Sequence, residues 1–467
     1  MFSKYLESKQ DLVKELLSRL QDKYPYVSIL GKHIDGDNVR VSTYATSISD
    51  SMEKQCGFVV KIYNGKCYSE YSFSDITSES IDKIEEDIIS KTSLDKELLD
   101  NHVSGKVIPD EPLKKEFSRS RTGKEYSIEE IVNKLSGYKD YIHKKNDKVI
   151  QAFCVYESYE VSSYFVSKNR ELKQNFPWML LVGMVVVRDG NNVKNARQVS
   201  CGTDTDNLFK DFESKIDGTI ALAEELLGAT MIEPGVYDII TNPSISGLIA
   251  HEAFGHGVEM DMFVKHRARA RNYINKPVAS SLVEMHDGAA AADSCASYFF
   301  DDDGVLAHDT CIIKNGILQT GISDVISAME LGTEPTGNGR RESYKRKAYT
   351  RMTNTYFSKG TSKLEDMIKS VKHGYMLFDT NNGMEDPKNW NIQCTAEYGR
   401  EIVDGKFTGK IVAPVVMSGY VPDLLMSISA VSDDFEVIGS GHCGKGHKEW
   451  VTVSDGGPCL KARCKLS

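Results

Sequence analysis

The sequence predicts an α+β protein of two domains, an N-terminal mixed α/β domain over residues 1–230 and a C-terminal β-rich domain over residues 231–467. Three observations lead to this prediction. The chain has 467 residues, more than a single hydrophobic core usually organises. Its first half mixes helical and strand periodicities. Its second half is dominated by strand-like runs that end at glycine or asparagine.

The N-terminal half begins with a helix, because apolar residues recur at helical spacing over residues 5–20. A β-rich stretch over 27–73 follows, and Asn64-Gly65 between two apolar runs predicts a hairpin turn. Ser127 and Glu130 have the spacing of a capping box at the start of a helix over 127–143. The other elements predicted here are a helix over 78–90, a polar loop over 100–123, strands over 149–166 and 178–187, a turn over 189–192 and a helix over 207–227.

The C-terminal half begins after a boundary segment at 228–234. A buried strand is predicted over 236–240. Asn242 and Pro243 are residue types preferred at the N-cap and the first position of a helix, so a helix should follow and carry His251 and Glu252. The remaining predicted elements are strands over 298–303, 310–318, 409–417 and 450–453, and a helix over 362–373.

Composition and charge exclude several classes of protein. The formal net charge of -10 is spread along the chain, which disfavours nucleic-acid binding. The longest apolar run, 179–187, is too short to span a bilayer, and the first residues lack the apolar core of a signal peptide. The ten cysteines form no C-x-x-C pair, so reduced core thiols are expected. These features predict a cytoplasmic protein without a membrane segment.

The main chemical signal is the stretch from 251 to 257, which reads HEAFGHG. Two neutral imidazoles can bind zinc, and a carboxylate beside them can accept a proton from an attacking water. His251 and His256 are at i and i+5, which on a regular α-helix places them about 140° apart. Both can face one metal only if the helix is distorted, for example by a π-bulge, or ends between them. Gly255 and Gly257 would ease such a distortion.

A catalytic zinc site needs a third protein ligand, with the fourth position open. Residue chemistry alone leaves several side chains as alternatives for that ligand. They are Glu259, Asp261, His266, His442, Cys443 and His447. Glu259 and Asp261 are more typical of a turn or of carboxylates that orient a ligand histidine.

The motifs resemble those of the TldD/PmbA family of metalloproteases, also called modulators of DNA gyrase. The resemblance covers residues 230–460, and its motifs occur in the family's order. They are HEAFGHGVEMD (251–261), FFDDDG (299–304), IIKNGIL (312–318), TGNGRR (336–341), RMTNTY (351–356), CGKG (443–446) and SDGGP (454–458).

The resemblance implies a zinc peptidase with an open cleft for unfolded peptides. It implies Zn²⁺ ligands at His251, His256 and Cys443, with Glu252 as the general base. The histidine motif is similar to that of the catalytic, TldD-type members. Family members pair, so a homodimer or a heterodimer with a TldE/PmbA-like sibling is expected.

Two polar segments, 336–341 and 351–356, are candidate substrate loops. Arg340, Arg341 or Arg351 could bind a peptide carboxylate. Asn354 is the further candidate for a substrate contact. Arginines of this kind also pair with structural carboxylates.

Other interpretations of the same residues remain open. A non-catalytic peptide-binding or scaffold protein could use a structural metal site, and a cysteine peptidase could use Cys443 with His442 or His447. Residues 439–445 fit the pattern G-x-x-x-x-G-K of a phosphate loop, but Gly446 follows and a strand is predicted beyond it. The acidic run 301–303 favours a turn over a calcium loop, because it lacks a terminal glutamate.

Overall fold

The computed structural model describes residues 1–92, 105–446 and 448–467, and it confirms the predicted mixture of helices and strands. The α-helices are α1 (Lys4–Gln21), α2 (Ile81–Thr92), α3 (Ile128–Lys145), α4 (Thr205–Phe209), α5 (Phe212–Leu226), α6 (Pro243–Ala250), α7 (Met260–Val264), α8 (Val325–Leu331), α9 (Leu364–Lys369) and α10 (Val421–Met426). A π-helical turn covers His251–Gly255, and 3₁₀ turns cover His256–Val258 and Arg269–Tyr273.

The strands fall into three larger sheets and one two-stranded ribbon within the described ranges. They are β1 (Tyr26–Ser42), β2 (Thr46–Asp50), β3 (Gln55–Tyr63), β4 (Tyr68–Phe73), β5 (Leu113–Ser118), β6 (Val149–Ser167), β7 (Arg170–Asp189), β8 (Asn192–Gly202), β9 (Gly235–Thr241), β10 (Met285–Asp287), β11 (Thr310–Lys314), β12 (Ile317–Leu318), β13 (Gly339–Arg340), β14 (Tyr349–Thr350), β15 (Asn354–Phe357), β16 (His373–Asp386), β17 (Asn391–Val403), β18 (Lys406–Val412), β19 (Val415–Tyr420), β20 (Ala430–Val431), β21 (Glu436–Lys445), β22 (Lys448–Gly457) and β23 (Leu460–Leu466).

The first sheet is built from residues 26–202. Its order is β4-β3-β1-β6-β7-β5, with β2 paired to β1 and β8 paired to β7. The apolar faces of α1 and α2 pack on one part of this sheet, and those of α3 and α5 pack on another. Among the described strands β8 pairs only with β7, so its outer edge has no strand partner.

Helix α6 lies between the two other larger sheets. The six-stranded sheet has the order β12-β11-β10-β15-β22-β21, and the seven-stranded sheet has the order β16-β9-β23-β19-β17-β18 with β20 paired to β23. Ile245 and Ile249 of α6, with Phe254 beyond it, are buried in one hydrophobic cluster with side chains from both sheets. The free energy of burying an apolar surface is roughly proportional to its area, so this cluster holds α6 between the two sheets.

Several local predictions are confirmed. The Ser127 hydroxyl accepts the N–H of Glu130 at 3.1 Å, and the Glu130 carboxylate accepts the N–H of Ser127 at 2.8 Å, which completes the capping box. β3 and β4 form the predicted hairpin around Asn64-Gly65. The acidic run 301–303 forms a turn, in which Asp301 accepts the backbone N–H of Asp303 at 2.9 Å. All ten cysteines are free thiols.

Other predictions were wrong. Part of the predicted loop over 100–123 is strand β5, which pairs in parallel with β7; of that loop, residues 105–123 are described. The predicted helix over 207–227 is two helices, because Asp211 adopts a positive φ of 55° between them. Residues 298–303 form no strand. Prolines and turns also divide the runs 310–318 and 409–417 into separate strands. No helix in the described part of the chain is long and apolar enough to cross a membrane.

Candidate metal centre

The metal-site motif lies where α6 changes into a π-helical turn. Asn242 caps α6 by accepting the N–H of Ile245 at 3.0 Å, and Pro243 occupies the first turn. At His251 the hydrogen-bond spacing widens, and the N–H of His256 donates to the carbonyl of His251. This i to i+5 bond is the signature of a π-helix, so the sequence prediction of a distorted helix is confirmed. The two imidazole rings lie 5.2 Å apart between centroids.

Close packing around this turn accounts for its two glycines. A Cβ at Gly255 would lie 2.0 Å from the sulfur of Met352, and a Cβ at Gly257 would lie 2.8 Å from Oε1 of Glu385. Neither distance leaves room for a methyl group. Glycine therefore permits the π-turn to approach its neighbours on both sides.

Cys443 completes a cluster with the two histidines. It lies on β21, and its Sγ is 3.1 Å from Nε2 of His251 and 3.2 Å from Nε2 of His256. Among the described residues these three form the group whose ligand atoms lie within 4.8 Å of one another. Tetrahedral zinc would hold sulfur and nitrogen about 3.6 Å apart, so an opening of about 0.5 Å would admit the ion. The donor set, two imidazoles and one thiol, suits zinc.

The electrostatics favour a thiolate in this cluster. Burial opposes charge on the sulfur, but the adjacent imidazoles lower the pKa of Cys443 to about 4. Burial also opposes a charged imidazole, yet the Cys443 thiolate raises the pKa of His251 to about 9. A thiolate is the form of cysteine that binds a metal.

A network of charged side chains contacts His256 and the strand of Cys443 and orients the cluster. Oε2 of Glu259 lies 3.5 Å from Nδ1 of His256 and 2.9 Å from Nζ of Lys445. Oε1 of Glu259 lies 3.3 Å from Nε of Arg351. Arg351 is fully buried and donates to the carbonyls of Cys443, at 2.9 Å, and Glu449. The Arg351 guanidinium thus links Glu259, which contacts His256, to the strand that carries Cys443.

Two further carboxylates stand beside the cluster. Glu252 is 7% exposed, and its Cγ lies against Gly383, where an added Cβ would be only 2.5 Å away. Glu385 lies against Gly257, and neither of its carboxylate oxygens has a hydrogen-bond partner among the described residues. Burial raises the pKa of Glu385 well above the usual carboxyl range. The sequence analysis did not identify Glu385, because the polar stretch around it has no motif.

The other candidates for the third ligand lie elsewhere. Asp261 pairs with Lys445 at 2.7 Å, and the exposed His266 contacts Arg271. Nε2 of His442 lies 3.0 Å from the Glu53 carboxylate, because successive residues of β21 point to opposite faces of the sheet. Because His442 and Cys443 point to opposite faces, they cannot form the histidine–cysteine pair of a cysteine peptidase. His447 lies outside the described residues.

The predicted substrate-binding residues are committed to contacts within the chain. Arg341 is buried and pairs with Glu70 at 3.1 Å. Asn354 is fully buried and donates to the carbonyl of Gly288 at 2.9 Å. Arg351 is also buried, so all three side chains have partners within the chain, and their contact with a peptide stays a prediction. Arg340 is half-buried and donates to the carbonyl of Met352 at 2.6 Å, away from the main cleft.

The metal cluster opens on a cleft of about 1680 Å³. Its walls are formed by parts of β8, β16 and β21, and by the π-turn with Glu252. β21 is the edge strand of its sheet, and β8 also has an unpaired outer edge among the described strands. Unpaired strand edges present backbone N–H and C=O groups that an extended peptide can satisfy. The sequence argument against a phosphate loop is confirmed, because residues 439–445 lie within β21 and the next described element is strand β22.

Comparison with known proteins gives related sequences and folds. Residues 234–461 match the profile described as the PmbA/TldA metallopeptidase C-terminal domain. The chain is 29% identical to a metalloprotease from Methanothermobacter thermautotrophicus over 320 residues, which cover 68% of this chain and 69% of the relative. It is also 29% identical to a zinc metalloprotease TldD homolog from Saccharolobus solfataricus over 306 residues, which cover 64% and 67% of the two chains.

Two solved structures share the fold over nearly the whole chain. One is a proposed modulator of a DNA gyrase from Thermotoga maritima, with a TM-score of 0.78 at 16% identity, covering 98% of this chain and 100% of the other. The second is TldE from Thermococcus kodakarensis, with a TM-score of 0.74 at 18% identity, covering 97% and 99%.

Proposed function

Because the chain belongs to the PmbA/TldD family of metallopeptidases, we propose that it is a zinc-dependent peptidase that hydrolyses unfolded peptides. His251, His256 and Cys443 would hold the ion, and Glu252 would be the general base. The observation that carries this proposal is the convergence of two imidazole nitrogens and one thiol within 4.8 Å on the wall of a large cleft. Three protein ligands leave a coordination position open, which is typical of catalytic zinc.

Zinc bound there would supply a Lewis acid that activates water and polarises the scissile carbonyl. The chain's own residues supply the proton transfers. Glu252 follows His251 directly and faces the cleft, so its carboxylate accepts the proton of the attacking water. It then returns that proton to the leaving amine. Glu259 and Arg351 keep His256 and β21 in place while this occurs.

The cleft favours extended peptides as substrates. The unpaired edges of β8 and β21 both line it, so a peptide can add to either as a further strand. Such binding uses backbone hydrogen bonds and needs a segment free of its own secondary structure. A folded protein offers few such segments, which supports unfolded peptides as the substrate class.

Two variants test the assignment of roles. Glu252→Gln should keep its zinc and lose about 10²- to 10⁴-fold in peptide hydrolysis, because the base is removed while the ligands remain. Cys443→Ala should lose its zinc, whereas Cys464→Ala, which removes another buried thiol, should keep it. Zinc content and peptide cleavage are measured on each purified variant. Wild-type activity in Glu252→Gln, or a full zinc complement in Cys443→Ala, contradicts the proposal.

Treatment with a chelator distinguishes the proposed zinc peptidase from two alternative functions. A structural zinc in a peptide-binding scaffold would be needed for folding, so its removal would unfold the chain. The low pKa and the imidazole contacts of Cys443 would also suit a cysteine peptidase. Hydrolysis that survives chelation and is abolished by thiol alkylation would establish that alternative. The zinc peptidase should lose activity on chelation, stay folded and recover when zinc is restored.

The likeness to TldE supports a paired assembly. We propose a dimer, formed either with a second copy or with a TldE/PmbA-like sibling. Native mass spectrometry of the purified protein, alone and with such a sibling, gives the composition of the particle. A monomer under both conditions contradicts this part of the proposal.

A further inference from the structure

Glu385 is a buried carboxylate that the proposed hydrolysis does not use. Its Oε1 and Oε2 are both buried, and neither has a hydrogen-bond partner among the described residues. The side chain nevertheless lines the main cleft. A buried carboxylate without a partner is costly, so a group that pairs with it is expected to come from whatever occupies the cleft.

The position of Glu385 follows from strand geometry. Gly383 and Glu385 are two residues apart on β16, so they face the same side of the strand about 6.6 Å apart. Gly383 lies against the Glu252 side chain, and Glu385 lies against Gly257, directly after His256. Glu385 is absent from the group of converging ligand atoms. It therefore flanks the site of hydrolysis without belonging to the metal cluster.

No lysine or arginine of the described cleft wall pairs with this carboxyl group. Lys445 is held by Glu259 and Asp261 at 2.9 and 2.7 Å. The other basic side chains of the wall also contact different partners: Arg197 donates to the carbonyl of Thr380, and Lys215 donates to the hydroxyl of Ser200. His256 attracts the Glu385 carboxylate, whereas the acidic side chains of Glu252 and Glu259 repel it. Beside the metal cluster, the described wall thus presents a carboxyl group that no lysine or arginine pairs with, and a cationic ligand would stabilise its ionised form.

We propose that Glu385 binds an ammonium group of the peptide next to the scissile bond. The inference rests on the proposed peptidase function, and it defines the class of substrate. An ammonium group is compact, carries one positive charge and donates to both carboxylate oxygens. It comes either from a free N-terminus or from a lysine side chain. The first source would make the enzyme an aminopeptidase, and the second would give it a preference for lysine near the cleavage site.

Binding to a zinc-loaded Glu252→Gln protein tests this without turnover. Three peptides of one sequence are compared by calorimetry: one with a free N-terminus and no lysine, one N-acetylated with a single lysine, and one N-acetylated with norleucine in place of lysine. At least one ammonium-bearing peptide should bind about 30-fold more tightly than the peptide without an ammonium group. Which of the two does so identifies the source.

Glu385→Gln, added to the Glu252→Gln protein, should abolish that difference and keep its zinc. Glu397→Gln is the matched control, since Glu397 also lines the cleft but pairs with Asn381 at 3.2 Å; it should preserve the difference. Equal binding of all three peptides, a preference that persists in Glu385→Gln, or zinc loss from that variant overturns the inference. Ammonium-dependent binding by a wild-type chain that hydrolyses no peptide would refute the proposed function while supporting the role of Glu385.

Discussion

Replacing Gly247 with alanine should weaken the metal centre, although Gly247 is not itself one of the proposed ligands. Gly247 lies on α6, one helical turn before His251. A Cβ at this position would lie 2.3 Å from the backbone nitrogen of Gly456 and 2.7 Å from the carbonyl carbon of Asp455, both on β22. These atoms belong to a strand paired on both sides, with β15 and with β21, so they cannot move aside independently.

The size of the effect follows from the clash. Ordinary contact begins at 3.4 Å, so α6 must retreat by the difference from 2.3 Å, about 1.1 Å. That retreat carries His251 away from Cys443, which β21 holds in place beside β22. Zinc tolerates ligand distances within about 0.2 Å of ideal, so zinc affinity should fall about 10- to 100-fold. Alanine gains about 0.5–1 kcal/mol over glycine in a helix, but overpacking costs about 1–3 kcal/mol, so the clash should prevail.

The assay is competition for zinc with a chromophoric chelator, together with the thermal midpoint measured with and without zinc. Gly137→Ala is the matched control, because Gly137 lies within α3 and has nothing within 4 Å of an added Cβ. It should raise the midpoint and leave zinc affinity unchanged. If Gly247→Ala behaves in the same way as Gly137→Ala, the packing of α6 against β22 does not position the metal centre and the reasoning fails.

Two other substitutions test the charged networks. Glu259→Gln should lower zinc affinity about 10- to 100-fold, because the carboxylate that faces Nδ1 of His256 is lost; the chelator competition measures this, and an unchanged affinity would contradict it. Glu70 is half-buried, and although burial raises its pKa, Lys61 and Arg341 lower it from 4.5 to about 2. A lowered folded pKa gives stability that is present above pH 4.5 and is lost as the pH falls towards 2, an effect of about 3 kcal/mol. The wild-type chain should therefore lose more stability than Glu70→Gln across that window in acid unfolding followed by circular dichroism, whereas parallel curves would show that Glu70 contributes nothing.

The sequence predicts features whose causes are local. The spacing of His251 and His256 requires a distorted helix, and the structure has a π-turn at that place. Asn242 and Pro243 predict the start of the same helix, which the structure confirms. Each of these inferences depends on residues within a few positions of one another, where backbone geometry is set by neighbouring residue types.

Features that depend on strand pairing could not be predicted in the same way. Cys443 lies 192 residues after His251. Residue chemistry alone left six candidates for the third metal ligand, of which Cys443 was one. Glu385 lies in a stretch of Asn, Gly and Asp residues that is typical of a turn. Pairing with β17 holds that stretch in strand β16, with a register shift between Thr380 and Asn382. Tertiary contact overrides the local preference, so neither the strand nor its buried carboxylate could be identified.

Arg351 shows why the identity of a residue's partner is the hardest thing to predict. The sequence indicates the chemistry correctly, since a guanidinium does bind a carboxylate here. Its interaction with a carboxylate has the same physical form whether that group belongs to a substrate or to Glu259. Burial distinguishes the two cases: a fully buried guanidinium cannot wait for a substrate, because its charge needs a partner in the free protein. Glu385 differs from Arg351 because a carboxyl group can stay neutral when it is buried, whereas a guanidinium cannot. Its side chain also lines the cleft, so a cationic group of a substrate can pair with it there.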